Sequence, residues 1–318
     1  MTKILITSTS FGKKVPEPLE ILKEKGYEIR LNELGHPLSP EELIERLEGC
    51  DGVIAGLDHF TAEVFEAVPE LRVVARYGAG VDRVDLEAAK RAGVVVTNTP
   101  DANSDSVADL AVGLMLAVSR RIPFADRTVR AGQWQRVFGQ SLSEKVVGLV
   151  GCGRIGSRVA RRVRGFGCRV LVHDPYVDAK TAELLHVDLV DLDELFVTSD
   201  FISLHLPVTE ATTGLVNADR FTQMKETAVL VNTARGELID QEAMLAALRE
   251  GTFGGAGLDV HIDEPCDPAP YEELDQVVLA PHMGSHSTEA LANMAFGAVE
   301  NLIEVLEDRP PINPVVLP

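Results

Sequence analysis

Short aliphatic runs alternate with amphipathic segments along the first hundred residues. Lys3 to Ile6, Tyr27 to Arg30, Gly52 to Ala55, Arg72 to Ala75 and Val94 to Thr97 read as strands, being short and largely apolar without a helical period. Between them, Pro18 to Lys25, Pro40 to Glu48, Ala62 to Ala67 and Leu86 to Arg91 space their apolar residues as helices do, and Ser39 is placed to cap the second. Strands that are apolar on both faces and separated by helices belong to a parallel sheet covered by two helical layers. Five such βα units predict a flavodoxin-like open sheet.

After Asn98-Thr99-Pro100 the pattern changes. Asn103-Ser104-Asp105-Ser106 offers several N-caps to a long apolar helix, Val107 to Arg121, expected to stop before Pro123 and able to serve as linker and hinge. Arg130 to Arg136 then reads as a loop carrying Trp134, the only tryptophan. From Val146 a second doubly wound sheet is predicted, with strands near 146–150, 169–173, 187–189, 200–204, 228–231, 256–259 and 277–280. A final helix, about Thr288 to Glu307, follows the completed sheet and is expected to return to the first domain.

Composition narrows the class. A chain of 318 residues, 45% hydrophobic and 25% charged, is large enough for two globular domains. The formal charge of −19 argues against nucleic acid or an anionic membrane as partner, and an anionic substrate then requires a locally positive pocket. Leu110 to Val118, the longest apolar run of interest, is too short to span a bilayer, and Met1 to Ile6 enters a strand without a leader pattern, so a cytoplasmic protein is expected. Cys50, Cys152, Cys168 and Cys266 show no C-x-x-C pairing and no zinc spacing; no metal is expected, and the thiols read as buried and reduced.

The strongest chemical signal is Gly151-x-Gly153-x-x-Gly156 after the apolar run Val146 to Val150. In a dinucleotide fingerprint the first glycine permits the tight turn, the second lets backbone approach a pyrophosphate, and the third lets helix pack on strand. Arg154 and Ile155, between the last two glycines, open the helix whose N-terminus favours phosphate. Asp174 ends the next strand, 18 residues after Gly156, where a carboxylate accepts from ribose hydroxyls and repels the extra phosphate of NADP; NAD is the expected cofactor. A second anion-binding candidate is the glycine loop after the fourth strand, Arg76 to Asp85.

Three polar signals follow late strands. Asn232 to Gly236 carries Arg235, Asp259 to Pro265 carries Glu264, and Pro281 to Gly284 carries His282. In a doubly wound sheet such strand ends converge on the cofactor crevice. Arg235 can grip a carboxylate bidentately, His282 can exchange a proton with a hydroxyl, and Glu264 can fix the imidazole tautomer.

With these motifs, His205-Leu206-Pro207, Gly78-Ala79-Gly80-Val81-Asp82 and Asn98-Thr99-Pro100, the chain resembles the NAD-dependent D-2-hydroxyacid dehydrogenase family over nearly its whole length. The resemblance implies a flavodoxin-like substrate domain, 1–99 completed by 287–318, and an inserted Rossmann domain, 100–286. It implies Arg235, Glu264 and His282 as catalytic residues, and substrate binding by Arg235 and the backbone at Ala79 and Gly80. Cofactor contacts are implied at Gly151, Gly153, Arg154, Ile155, Gly156, Asp174, His205, Pro207, Ala234, Asp259 and Gly284. A homodimer is expected through the cofactor domain, with the Trp134 segment reaching toward the partner. Asp109 stands where the family usually has glutamate, with little consequence expected.

Within that family the pattern around Gly80 to Asp85 and Asn98 to Asn103 looks closest to phosphoglycerate dehydrogenases. Those commonly show Arg-Ser after the third strand, where this chain has Ile54-Ala55-Gly56-Leu57-Asp58, and no regulatory domain is expected after residue 318. A short-chain hydroxy or keto acid is therefore the first expectation and 3-phosphoglycerate the second. Formate dehydrogenases put glutamine where Glu264 stands, whereas phosphite oxidation is compatible with the motifs. A reading of another class is an NADH-binding corepressor, although no low-complexity tail accompanies the fold.

Overall fold

Side chains that are buried on both faces, alternating between two apolar layers, show why the first sheet forms. In the computed structural model, which describes residues 1–316, Leu5, Val53, Val74 and Val96 face one apolar layer while Ile4, Ile6, Ile54, Val73 and Ala75 face the other. Leu317 and Pro318, the end of the 287–318 segment assigned above, lie outside the described residues. The chain divides into two compact units, Met1–Asn103 with the segment from Ser285, and Ser104–Gly284.

The first unit holds β1 (Lys3–Ile6), β2 (Glu28–Leu31), β3 (Gly52–Ala55), β4 (Val73–Arg76) and β5 (Val95–Thr97), all parallel in the order β2-β1-β3-β4-β5. That is the flavodoxin order. Helices α1 (Glu17–Glu24), α2 (Pro40–Leu47), α3 (Ala62–Ala67) and α4 (Leu86–Arg91) connect the strands. Ser39 closes a capping box on α2, accepting from Glu42 N at 3.3 Å while its own N–H donates to Glu42 at 2.8 Å. The C-terminal helix, Thr288–Leu306, buries Ala295, Ala298, Val299 and Leu302 against the second face of this sheet. Beyond it the chain covers the outer edge of β5, where Val315 N–H donates to Val96 O at 2.9 Å.

The second unit opens with α5 (Ser104–Ser119) and α6 (Ile122–Arg130). Here the structure corrects the sequence reading: the long helix begins three residues earlier than Val107 and ends at Ser119, still before Pro123, and a further helix from Ile122 takes in Arg130, the first residue of the expected loop. Proline lacks an N–H, which costs nothing in a first turn, and Arg121 at φ +51° makes the bend between the two helices.

There follow β6 (Val146–Val150), α7 (Arg154–Arg164), β7 (Arg169–His173), α8 (Ala179–Leu185), β8 (Asp188–Leu189), α9 (Leu192–Thr198) and β9 (Phe201–Leu204). The sheet is completed by α10 (Ala218–Gln223), β10 (Val229–Asn232), α11 (Gln241–Glu250), β11 (Gly255–Leu258) and β12 (Val277–Leu279). Its order, β8-β7-β6-β9-β10-β11-β12, is the dinucleotide-binding arrangement extended by one strand, with the direction of winding reversing between β6 and β9. Arg162 on α7 pairs with Asp105 and Asp109 on α5 at 2.9 and 2.5 Å, so the shorter carboxylate at 109 still reaches its partner. Among the described residues no helix is long and apolar enough to cross a membrane.

Three cysteines, at 50, 152 and 168, are buried, and burial pushes the Cys152 thiol up to about 11; Cys266 is partly exposed, against the expectation for all four. It sits in the irregular segment after Glu264-Pro265, where no strand or helix encloses it.

Candidate active site

The reversal between β6 and β9 is where the fingerprint lies. Gly151, at φ +91°, leaves β6 so closely beside β9 that a Cβ would stand 2.4 Å from His205 O. A Cβ on Gly156 would stand 2.3 Å from Gly151 O, so this glycine is what lets α7 start against the turn. Gly153 has open space where its side chain would be, and the first N–H groups of α7, at Arg154, Ile155 and Gly156, need partners from outside the helix. Arg154 is exposed, whereas Ile155 packs into the apolar layer behind. These features fit a dinucleotide pyrophosphate.

Asp174 follows β7 and is held by two backbone donors, Cys152 N at 2.7 Å and Tyr176 N at 2.9 Å. The carboxylate is thereby tied to the fingerprint turn. His205 donates its backbone N–H to Val150 O at 2.8 Å. Both its ring nitrogens are buried without a partner among the described residues, and burial drives its pKa down to about 4, so the ring is neutral. Pro207 is exposed; its carbonyl accepts from Thr212 Oγ1 at 2.8 Å.

The loops after β10, β11 and β12 are built as one body. Asn232, fully buried, accepts from Ala234 N at 3.0 Å and donates to Arg235 O at 2.7 Å, which fixes the bend that presents Arg235. Arg235 itself donates to Ala234 O at 2.6 Å. A Cβ on Gly236 would lie 2.2 Å from His261 C, so the loop after β10 touches the backbone of the loop after β11. Asp259, 1% exposed, accepts from Met283 N at 2.7 Å and Gly284 N at 2.8 Å, and thus locks the loop after β12 to the end of β11. Burial raises the Asp259 pKa and these two donors oppose the rise.

His261 adds a tie that sequence reasoning missed: its ring Nε2 lies 3.0 Å from Ala280 O and its N–H donates to Glu264 at 3.3 Å. The ring's partner is a main-chain carbonyl, which leaves no signal in sequence.

Out of this frame come Glu264 and His282. Both carboxylate oxygens of Glu264 lie on His282 Nδ1, at 2.9 and 3.0 Å, with both side chains largely buried. A carboxylate only accepts, so Nδ1 carries a proton, and Nε2 is the ring nitrogen that Glu264 does not engage. His282 holds φ +51°, a left-handed conformation rare outside glycine, fixed by its N–H donating to Asp259 O at 2.8 Å.

In the first unit the glycine loop after β4 carries Ala79 and Gly80, both half-buried. Gly78 takes φ +148°, open only to glycine, and its carbonyl accepts from Thr99 N at 3.0 Å. Arg76, buried at the end of β4, donates to Gly80 O at 3.0 Å and Ala55 O at 2.9 Å, and Asn98 donates to Ala79 O at 2.7 Å. Among the described residues no cluster of His, Cys, Asp and Glu could hold a metal ion.

Comparison with known proteins agrees with this fold. The family model described as D-isomer specific 2-hydroxyacid dehydrogenase, NAD binding domain, matches residues 112–284. A glyoxylate reductase of Korarchaeum cryptofilum is 42% identical over 309 residues, spanning 95% of this chain and 93% of its own. A D-3-phosphoglycerate dehydrogenase of Methanocaldococcus jannaschii is 38% identical over all of this chain, which covers 60% of that relative. Among solved structures, the TT0316 protein of Thermus thermophilus superposes with a TM-score of 0.92 at 41% identity, covering 99% of this chain and 100% of its own. The apo D-lactate dehydrogenase of Escherichia coli gives 0.87 at 31% identity, with the same coverage of both chains. The chain belongs to the D-isomer-specific 2-hydroxyacid dehydrogenase family, as an NAD-linked oxidoreductase of 2-hydroxy acids.

Proposed function

We propose that this enzyme interconverts a small, unphosphorylated 2-oxo acid, glyoxylate first, and its 2-hydroxy acid, with Glu264 and His282 as its proton-transfer pair. The observation that carries the reading is the two-oxygen contact of Glu264 with His282 Nδ1, which aims Nε2 as donor and acceptor. When bound, reduced NAD supplies the hydride. His282 Nε2 gives its proton to the substrate oxygen as the carbonyl is reduced, and takes it back in oxidation. Arg235, presented by the bend that Asn232 fixes, grips the substrate carboxylate and polarises the adjacent carbonyl. Ala79 and Gly80 offer backbone N–H groups to the anionic end of the substrate. Ala234, Asp259 and Gly284 frame the nicotinamide side, and Gly151 to Gly156, Asp174, His205 and Pro207 hold the remainder of the cofactor.

An unphosphorylated substrate is favoured by the loop after β3. There, Asp58 is 1% exposed and accepts from Thr7 Oγ1, Leu38 N at 2.7 Å and Gly56 N at 3.1 Å, so a buried acid stands in the stretch where a phosphate would call for a cation. Glyoxylate, pyruvate, hydroxypyruvate and 3-phosphohydroxypyruvate, assayed with NADH and NADPH, test the substrate and the part given to Asp174. A preference for the phosphorylated acid, or equal efficiencies with both cofactors, refutes the respective assignment. Replacement of His282 by Gln should lower kcat/KM about 10²- to 10⁴-fold while NADH binding persists. A smaller loss overturns its role.

The assembly proposed is a cytoplasmic homodimer. Trp134 and Phe138 are 87% and 95% exposed on a segment held at its ends by Gln133 N to Thr128 O and Gln140 N to Ser119 O, both 3.0 Å. Ile122 and Val129, on the helix before this segment, are also exposed, and a second copy is proposed to cover these apolar side chains. A solution mass equal to one chain refutes it.

A further inference from the structure

Three successive carbonyls of the loop after β4 are each captured. Gly78 O accepts from Thr99 N at 3.0 Å, Ala79 O from Asn98 Nδ2 at 2.7 Å, and Gly80 O from Arg76 Nε at 3.0 Å. These peptide bonds are trans, and in a trans peptide the C=O and the following N–H point in opposite directions. Capturing the three carbonyls therefore turns the N–H groups of Ala79, Gly80 and Val81 the other way, as a run of donors.

We infer that Asn98 and Arg76 are positioning residues that pre-set this run of N–H groups for the substrate carboxylate, by holding the carbonyls of Ala79 and Gly80 away from it. The inference rests on the reading above that this loop receives the anionic end of the substrate. Both clamps are themselves fixed. Asn98 has its backbone N–H on Asn313 O at 3.3 Å and its carbonyl on Asn301 Nδ2 at 3.4 Å. Asn301 is fully buried and also accepts from Asn313 N at 2.9 Å. Arg76 is 5% exposed, and its second donor holds Ala55 O at the end of β3, so the guanidinium spans two strand ends.

A free loop would adopt many orientations of these peptide units, most presenting a carbonyl oxygen to an incoming anion. Holding each plane beforehand removes that ordering cost from binding, and it keeps three repulsive dipoles off the carboxylate. Asn98 does this without a net charge. Arg76 brings a buried guanidinium beneath the loop in a chain whose formal charge is −19.

The test uses oxamate, an unreactive analogue of a 2-oxo acid, titrated into the NADH-saturated protein, with Asn98→Leu and Arg76→Met beside the parent. Asn98→Leu should weaken oxamate about tenfold and raise KM for the 2-oxo acid by a similar factor, with kcat and NADH affinity changed less than about twofold. Arg76→Met should weaken oxamate more, and Arg76→Lys should recover part of the loss. If Arg76→Met does not fold, Asn98→Leu decides alone. Parent-like oxamate affinity in the variants overturns the inference and leaves the substrate reading standing. A parent protein that binds no oxamate overturns the substrate reading, and with it the purpose given to the clamps. A ligand-free crystal structure of Asn98→Leu in which the Ala79–Gly80 peptide keeps its plane also overturns the inference, whatever the substrate.

Discussion

The two sheets of this molecule are built alike and treat their crevices in opposite ways. In the second unit the winding reverses between β6 and β9, and the chain there is kept bare: Gly151 and Gly156 have no room for a Cβ, Gly153 has open space, and the His205 ring nitrogens lack partners among the described residues. In the first unit the winding reverses between β1 and β3, and that crevice is filled by Asp58 with its donors Thr7, Leu38 and Gly56. The glycine loop proposed to receive the substrate's anionic end lies one strand farther along, after β4. The same topology therefore offers a site at each reversal, and side chains decide whether the site stays open.

The glycines differ in the same sense. Gly156 is required for space, since a Cβ would meet a carbonyl at 2.3 Å. Gly78 is required for conformation, with nothing within 4 Å of its would-be Cβ but a φ of +148°.

The largest effect that would sharpen this contrast is expected from Asp58→Ala. It leaves Leu38 N without an acceptor and takes one of two acceptors from Thr7 Oγ1 and Gly56 N, and should cost about 3 kcal/mol of stability. Urea unfolding would measure it. NADH affinity should be unchanged, and a loss there would mean that the filled crevice serves the cofactor. Next, Gly156→Val should weaken NADH about 100-fold, or about 2.7 kcal/mol, because α7 must move off the turn. Retained affinity, measured by fluorescence titration, would show that the helix can yield.

His205 gives a smaller, pH-dependent contribution. Its folded pKa of about 4 lies below the ordinary 6.5, so the unfolded chain takes up a proton between pH 6.5 and 4 that the folded chain refuses. Stability is whole above about 6.5 and falls as pH drops through that window, by about 2 kcal/mol at pH 5 relative to pH 8. In His205→Leu that part of the acid limb should flatten; an unchanged limb would mean the ring is not buried neutral. Smallest is Gly78→Ala, expected to weaken oxamate about tenfold through backbone strain alone, with NADH binding untouched.

Much of this is legible in the amino-acid sequence by itself. Alternating short apolar runs and helical periods locate nearly every strand, because a parallel strand must be apolar along its whole length to be covered on both faces. The fingerprint and Asp174 are equally plain, since a phosphate-binding turn demands glycines at fixed spacing. The long helix does stop before Pro123, but the helix that Pro123 helps to open goes unseen, because proline suits a stop and a first turn alike and only the bend at Arg121 distinguishes them.

What tertiary structure alone decided are the ties between segments distant in sequence. His261 on Ala280, Asp259 on Met283 and Gly284, and Asn98 on Ala79 each join a side chain to a main-chain group. Any residue supplies such a backbone partner, so the partner's identity leaves no trace in sequence. A side chain's own chemistry is written in the chain; which carbonyl or N–H it meets is fixed only when the strands take their order and the loops at their ends come together.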